Sequence, residues 1–440
     1  MIVAKFGGTS VADASALRQV DAVVQALLRD RDPEGLIVVL SATSGTTSQL
    51  LEIARNAGGG KPYRDELNAL VERHVKIATE LTGSADCIDS LITSCREFAD
   101  ALAELGEWSD ATLDSFCAYG ELLSTTIFHR FRHTTGHASV FVDARTLIVT
   151  DDRHQQAIVD DEATTAACRA GLGAHCKAGS VVVTQGFIAA CHDGTTTTLG
   201  RGGSDYSAAI IGSCLNAQAI LIYTDVSGVY TCDPRLVAEA CPLPVLSFDE
   251  MRDMASYGAK VLHPATIAPA VRARVPVHVL NTFRPDDTGT VITGSTSKEP
   301  TMNAISLLRN VTTYAMSREL SGSLTRNETI GRDIVLAITS ANKQTLCFQN
   351  VREQTSTVLD TMMAGHDVAI WQSCIVAVTG QGMTHPNVVR QIAEGIVEIT
   401  SSAHIAVISE TCVACVVDDT DSERCVRALH RLVTRRPDQA

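Results

Sequence analysis

Lys5 closes an apolar run and is followed by Phe6, Gly7, Gly8, Thr9 and Ser10. Two residues without a Cβ let backbone N–H groups approach an anion, a helix start just beyond favours negative charge, and the lysine adds a point charge. This combination suits phosphate binding. A Gly-Gly turn alone would say little, because glycines punctuate any strand-to-helix connection. The lysine beside it makes the turn informative. Neither GxxxxGK[ST] nor GxGxxG occurs in the chain, so nucleotide binding here requires a different cradle.

Further along, Gly200, Arg201, Gly202, Gly203, Ser204 and Asp205 follow a threonine-rich turn and open a helical run. The glycines expose N–H groups, Asp205 falls in a first helical turn, and Arg201 offers a planar fork matched to a carboxylate. A capped helix with an incidental arginine is the plainer alternative, but a turn this rich in glycine and charge favours function. A third cluster runs from Thr224 and Asp225 through Tyr230 to Arg235, leaving an apolar strand. A fourth, 258–264, contains Lys260 and Val261 before a helix start.

The elements that must position these residues alternate between strand and helix over the first 295 residues. Apolar β runs fall at 2–6, 36–40, 139–142, 181–184, 220–224 and 277–280, with helical stretches at 11–30, 161–172, 204–214, 248–257 and 264–272, the last interrupted by Pro269. Alternation of this kind implies a parallel sheet covered on both faces, with ligands bound outside the strand C-termini, where the first three clusters converge. A helical excursion spans 63–132, broken near Gly106, and Glu121 is its one chemical candidate. A Thr, Gly, Ser and Pro-rich linker is expected at 289–300. Short β runs with modest helices follow, at 311–316, 334–339, 345–348, 374–379, 386–396, 405–409, 412–417 and 421–433, and the last group reads βαββα.

The net charge of −14 argues against a nucleic-acid or acidic-membrane surface, because such binders need an excess of lysine and arginine. No run of about 18 apolar residues and no basic leader with an apolar core is present, and a cytosolic protein is expected. The 14 cysteines are scattered through apolar segments, which fits buried free thiols. Cys412 and Cys415, three apart in a β run, should face opposite sides and share neither metal nor disulfide.

The strings KFGGTSVAD, GRGGSDYSA, TDVSGVYTCDPR and GAKVLHP, in this order, resemble the aspartate kinases of the amino-acid kinase family. The resemblance implies an α/β fold, an open, mainly parallel sheet with helices on both faces over 1–295, followed by an α+β ACT-like (βαββαβ) regulatory module. It further implies ATP-dependent phosphorylation of the β-carboxylate of L-aspartate, with Mg²⁺, at the head of lysine, threonine, methionine and diaminopimelate synthesis.

By the same resemblance, Lys5 with Phe6, Gly7 and Gly8 would hold the β- and γ-phosphates, and Lys260, with Val261 beside it, would neutralise the transferring group. Thr224, Asp225, Tyr230 and Arg235 would hold the nucleotide. Ser41, Thr47 and Ser204 would contact substrate, Glu121 would meet the amino group of aspartate, Arg201 would grip a carboxylate, and Asp205 would orient substrate or lysine. No base is needed. The acceptor carboxylate, with a pKa of about 3.9, is already ionised, and phosphoryl transfer is catalysed mainly by positioning and charge stabilisation. No metal-ligating residue is assigned, because Mg²⁺ commonly rides on substrate phosphates.

The regulatory part is expected as a first, reduced ACT-like unit at 296–372 and a second at 373–440, completed by a strand at 303–308. The 316–332 stretch is short and polar where the family shows a clear amphipathic helix. Lysine is the expected effector and a homodimer or higher homo-oligomer the expected assembly. A homoserine dehydrogenase domain is not expected after the second unit. Rival readings are a kinase for another carboxylate such as N-acetylglutamate, which would not call for an anion beside its acylated amine, and a non-catalytic amino-acid sensor.

Overall fold

The computed structural model describes residues 1–31, 33–175, 177–259, 262, 264–294, 299–339, 343–351 and 353–434. The chain forms two compact units, the first of Met1–Val229 with Ala265–Gly294 and the second of Tyr230–Pro264 with the described residues from 299 onward. The segment 230–264 groups with the C-terminal half in this division.

In the first unit the strands lie in the order Val140–Phe141, Val181–Gln185, Leu36–Leu40, Ile2–Phe6, Ala219–Thr224, Val277–Asn281 and Thr290–Thr293. All neighbours are parallel except the last pair. The central strands are buried along their whole length, as parallel strands covered on both faces must be. Ala4, Phe6, Val38, Leu40, Val183 and Leu221 join the core with the long helices Ala14–Arg31, Arg64–Thr82 and Asp89–Leu105. On the opposite face the helix Gly203–Cys214 lies so close that a Cβ at Gly212 would stand 2.6 Å from Ile220 and 3.7 Å from Val3.

Several local expectations are corrected. The helix expected at 11–30 begins at Ala14, where Asp13 accepts from the Ala16 N–H at 2.8 Å, and a short 3₁₀ turn, Gly8–Val11, precedes it. Pro269 lies inside the helix Pro264–Ala273 without ending it. Thr290–Thr293, expected as linker, is a strand antiparallel to Val277–Val279. A small sheet of Val149–Thr150, Ile188–Cys191 and Thr196–Thr198, not foreseen, leads into the Gly200 turn.

The second unit is built on a six-stranded sheet whose centre is the antiparallel pair Thr301–Ser317 and Ala369–Gln381. The 311–316 run and the 303–308 strand are therefore one continuous strand with a register shift between Leu308 and Val311. Its first half pairs with 375–381, alongside Cys412–Asp418 and His404–Ser409. Its second half pairs with Lys343–Gln349, alongside Ile334–Thr339. The chain from Val311 runs βαββαβ and the chain from Ile375 runs βαββα beside the strand at 301–308, an ACT-like α+β arrangement on one sheet. The first unit's leading helix is short, Arg318–Arg326, broken at Asn327 from a four-residue turn, Glu328–Gly331. Cys412 and Cys415 fall in separate apolar clusters, as residues three apart in a strand should.

Candidate active site

Four parallel strands end at the same edge of the first sheet, and their loops are tied together there. The Ser41 N–H donates to the Phe6 carbonyl at 3.1 Å, Gly7 to Tyr223 at 3.2 Å and Gly186 to Leu40 at 2.8 Å. A cleft of about 520 Å³ opens above this edge. Lys5, Gly7, Gly8, Ser41, Thr47, Glu121, Ser204, Asp205, Thr224 and Asp225, all singled out from sequence, line it.

Three helical starts meet the cleft, at Gly7, Gly45 and Gly202, and none has a side-chain cap. Gly45 and Gly202 adopt φ of 77° and 74°, a left-handed conformation that glycine takes without strain. Elsewhere, Ser109 and Asp160 begin helices by accepting from N–H groups two or three residues on. Leaving the cleft-side starts without such an acceptor frees N–H groups, and the positive end of the helix dipole, for an anionic ligand.

Lys5 Nζ lies 2.6 Å from Asp205 Oδ1, and both side chains are largely buried, at 10 % and 16 % exposure. A Cβ at Gly7 would stand 3.3 Å from this ammonium, so glycine there leaves the lysine room over the loop. Gly186 does the same for the helix: a Cβ at 186 would stand 2.6 Å from Ser204 Cβ, so only glycine lets the strand end at 185 meet the Ser204–Asp205 turn.

Glu121 is buried on the helix Tyr119–Thr134. Its Oε1 accepts from the Ala42 N–H at 3.1 Å, while Oε2 bonds no described residue. Burial pushes its carboxyl up to about 8, against the smaller effect of the Ala42 N–H. A buried carboxyl group with one oxygen that bonds no described residue suits a cationic partner, and an amino group is one.

Not every expected residue reaches the cleft. Phe6 is wholly buried and stacks on Tyr223, ring centroids 4.7 Å apart, because neighbouring strand residues point to opposite faces and Lys5 takes the cleft side. Arg201 is exposed and its side chain does not line the cleft. Tyr230 and Arg235 belong to the second unit, where Arg235 pairs with Asp233 at 2.8 Å within its own turn. Lys260 and Val261 lie outside the described residues. Conversely, Thr9, Ala42, Thr43, Ser44 and Phe187 line the cleft and were not singled out. Phe187, at φ 67°, follows a strand end and a glycine, the signal that could have found it.

The sequence matches the model of the amino acid kinase family over residues 1–281. The chain belongs to the amino acid kinase family. The lysine-sensitive aspartokinase 3 of Escherichia coli strain K12 is 38 % identical over 316 residues, 71 % of this chain and 68 % of that one. The aspartokinase of Chlamydia trachomatis is 34 % identical over 313 residues, 70 % of this chain and 69 % of its own. The crystal structure of E. coli aspartokinase III with aspartate and ADP superposes with a TM-score of 0.82 at 30 % identity, over 99 % of this kinase and 100 % of that chain. The complex of the same enzyme with lysine and aspartate gives 0.81 at 30 % identity over the same shares. The likeness thus extends through the ACT-like sheet.

Among the described residues no three His, Cys, Asp or Glu side chains are grouped to hold a metal ion. Asp205 and Asp225 line this kinase's cleft together with Glu121. None of its described helices is long and apolar enough to cross a membrane.

Proposed function

We propose that the chain transfers the γ-phosphoryl group of ATP to the β-carboxylate of L-aspartate. The observation that carries this reading is Glu121, a buried carboxylate with one free oxygen beside glycine-capped helix starts. That arrangement suits a ligand with a cationic amino group and an anionic remainder. The likeness to aspartokinases supports it.

In this reading the loop at Gly7 and Gly8 cradles the β- and γ-phosphates, and Lys5 exchanges Asp205 for a phosphate oxygen, offsetting repulsion between two anions in line. Glu121 fixes the amino group, while Ser41, Thr47 and Ser204 hold carboxylate oxygens. Arg201 closes on a carboxylate from its exposed position. Thr224 and Asp225 engage the nucleotide. Mg²⁺ would supply charge neutralisation on the phosphates, and Asp205 and Asp225 are the residues that would hold it. Lysine acting at the ACT-like sheet, a homodimeric assembly, a cytoplasmic location and a place at the head of lysine-family amino-acid synthesis complete the proposal. The 13 described cysteines, all free thiols, accord with a reducing compartment.

ADP release measured with L-aspartate, N-acetylaspartate and N-acetylglutamate tests the reading. Aspartate alone should support turnover; turnover with an acylated substrate would remove the role given to Glu121.

A further inference from the structure

The Ser41–Thr47 turn rests on a hydrogen-bond chain whose direction follows donor by donor. His74, buried on the helix Arg64–Thr82, places Nδ1 2.8 Å from the Leu70 carbonyl and Nε2 3.1 Å from Thr43 Oγ1. A carbonyl only accepts, so the ring proton sits on Nδ1. Burial pushes the ring down to about 4, which keeps it neutral near pH 7 and leaves Nε2 an acceptor. Thr43 therefore donates to His74. Thr46 Oγ1 is 2.5 Å from Thr43 Oγ1 and, with the Thr43 proton committed, Thr46 donates to Thr43. Thr46 in turn accepts from Arg73 Nη2 at 2.7 Å. The chain runs from Arg73 through Thr46 and Thr43 to His74 and Leu70.

The consequence for the cleft is selective. Thr43 lines it yet has no proton to offer a ligand, whereas Ser41, Ser44 and Thr47 line it with hydroxyls that bond no other described residue. The same turn carries the Ala42 N–H that holds Glu121.

We propose that His74 is a positioning residue for the acceptor substrate: as the terminal side-chain acceptor of this chain it fixes Thr43, so that the turn presents Ser41, Ser44 and Thr47 to a carboxylate and Ala42 to Glu121. The inference rests on reading the cleft as an aspartate kinase site.

Saturation curves for aspartate and ATP, taken side by side on wild type and variants, test it. His74→Leu cannot accept and should raise the aspartate KM about tenfold, the effect of leaving one buried hydrogen bond unmade, with the ATP KM within about twofold. His74→Gln, whose Oε1 accepts, should restore most of the loss. Thr43→Val keeps the volume, leaves the histidine in place and should give the same split even if His74→Leu fails to fold. The double variant should be no worse than either single one. An unchanged aspartate KM in Thr43→Val, or both KM values rising together, overturns the inference while leaving an active wild type as an aspartate kinase. A wild type inactive on aspartate overturns the functional reading and this inference with it.

Discussion

Lys5 and Asp205, 200 residues apart in sequence, meet at 2.6 Å across the mouth of the cleft, strand end against helix start. The aspartate neutralises a lysine that is only 10 % exposed. Lys5→Met removes the one described cation at the glycine turn. It should lower kcat by about 10²–10³-fold or more, the scale seen when a preorganised charge partner is deleted, while circular dichroism and thermal unfolding stay close to wild type. Wild-type turnover in this variant would remove Lys5 from the chemistry.

Glu121 predicts a pH dependence with a definite sign. Burial holds its carboxyl up to about 8, so binding an ammonium group favours ionisation, and the aspartate KM should fall as pH rises from 7 towards 9. Glu121→Gln should raise the aspartate KM, leave the ATP KM in place and abolish this dependence. A pH-independent aspartate KM in wild type would contradict the assignment.

The same residue links function to stability. Its folded pKa, about 8, lies above its ordinary value of 4.5, so between these limits the folded state binds more protons than the unfolded one, and stability falls as pH rises. The limiting slope is about 1.4 kcal/mol per pH unit. Without substrate, Glu121→Gln should therefore gain stability over wild type as pH rises from 5 to 8, read by denaturant unfolding. Parallel curves for the two proteins would show that Glu121 is ionised in the empty site.

Gly186→Ala would drive a Cβ to within 2.6 Å of Ser204 Cβ and 2.8 Å of Ser204 Cα. Backbone must shift, at a cost of about 1–3 kcal/mol, and the shift displaces the turn that carries Asp205. A drop in kcat/KM of about tenfold or more, with a lowered melting temperature, is expected. Unaltered kinetics would show that the helix start tolerates displacement.

Much of the site was legible because its residues sit where strands end. Lys5, Ser41, Thr224 and Asp225 follow apolar runs directly, and parallel packing brings those run-ends to one edge. Phe6 was misplaced although strand alternation already separates it from Lys5. The strand at 290–293 was missed because its four β-branched residues lie between Gly289 and Gly294 in an otherwise turn-like stretch, and its pairing with Val277–Val279 is visible only in three dimensions. The assignment of 230–264 to the second unit is likewise non-local: the Ile305 N–H donates to the Thr231 carbonyl at 2.7 Å, and Asp253 accepts from Ser409 and Thr411 at 2.7 and 2.6 Å. His74 sits in a helix with no motif, and only its contact with Thr43 reveals a role.

Regulation is tested by titration. Lysine should lower the rate at fixed aspartate and ATP, whereas threonine and methionine should leave it unchanged. Indifference to lysine would show that the short helix Arg318–Arg326 and its break at Asn327 no longer support that effector.

The central claim is that this cleft makes an acyl phosphate on aspartate. Wild-type protein incubated with ATP, Mg²⁺, L-aspartate and hydroxylamine should form aspartate β-hydroxamate mole for mole with ADP, and neither product should form without aspartate. ADP without hydroxamate, or no aspartate-dependent ADP at all despite nucleotide binding, would contradict it.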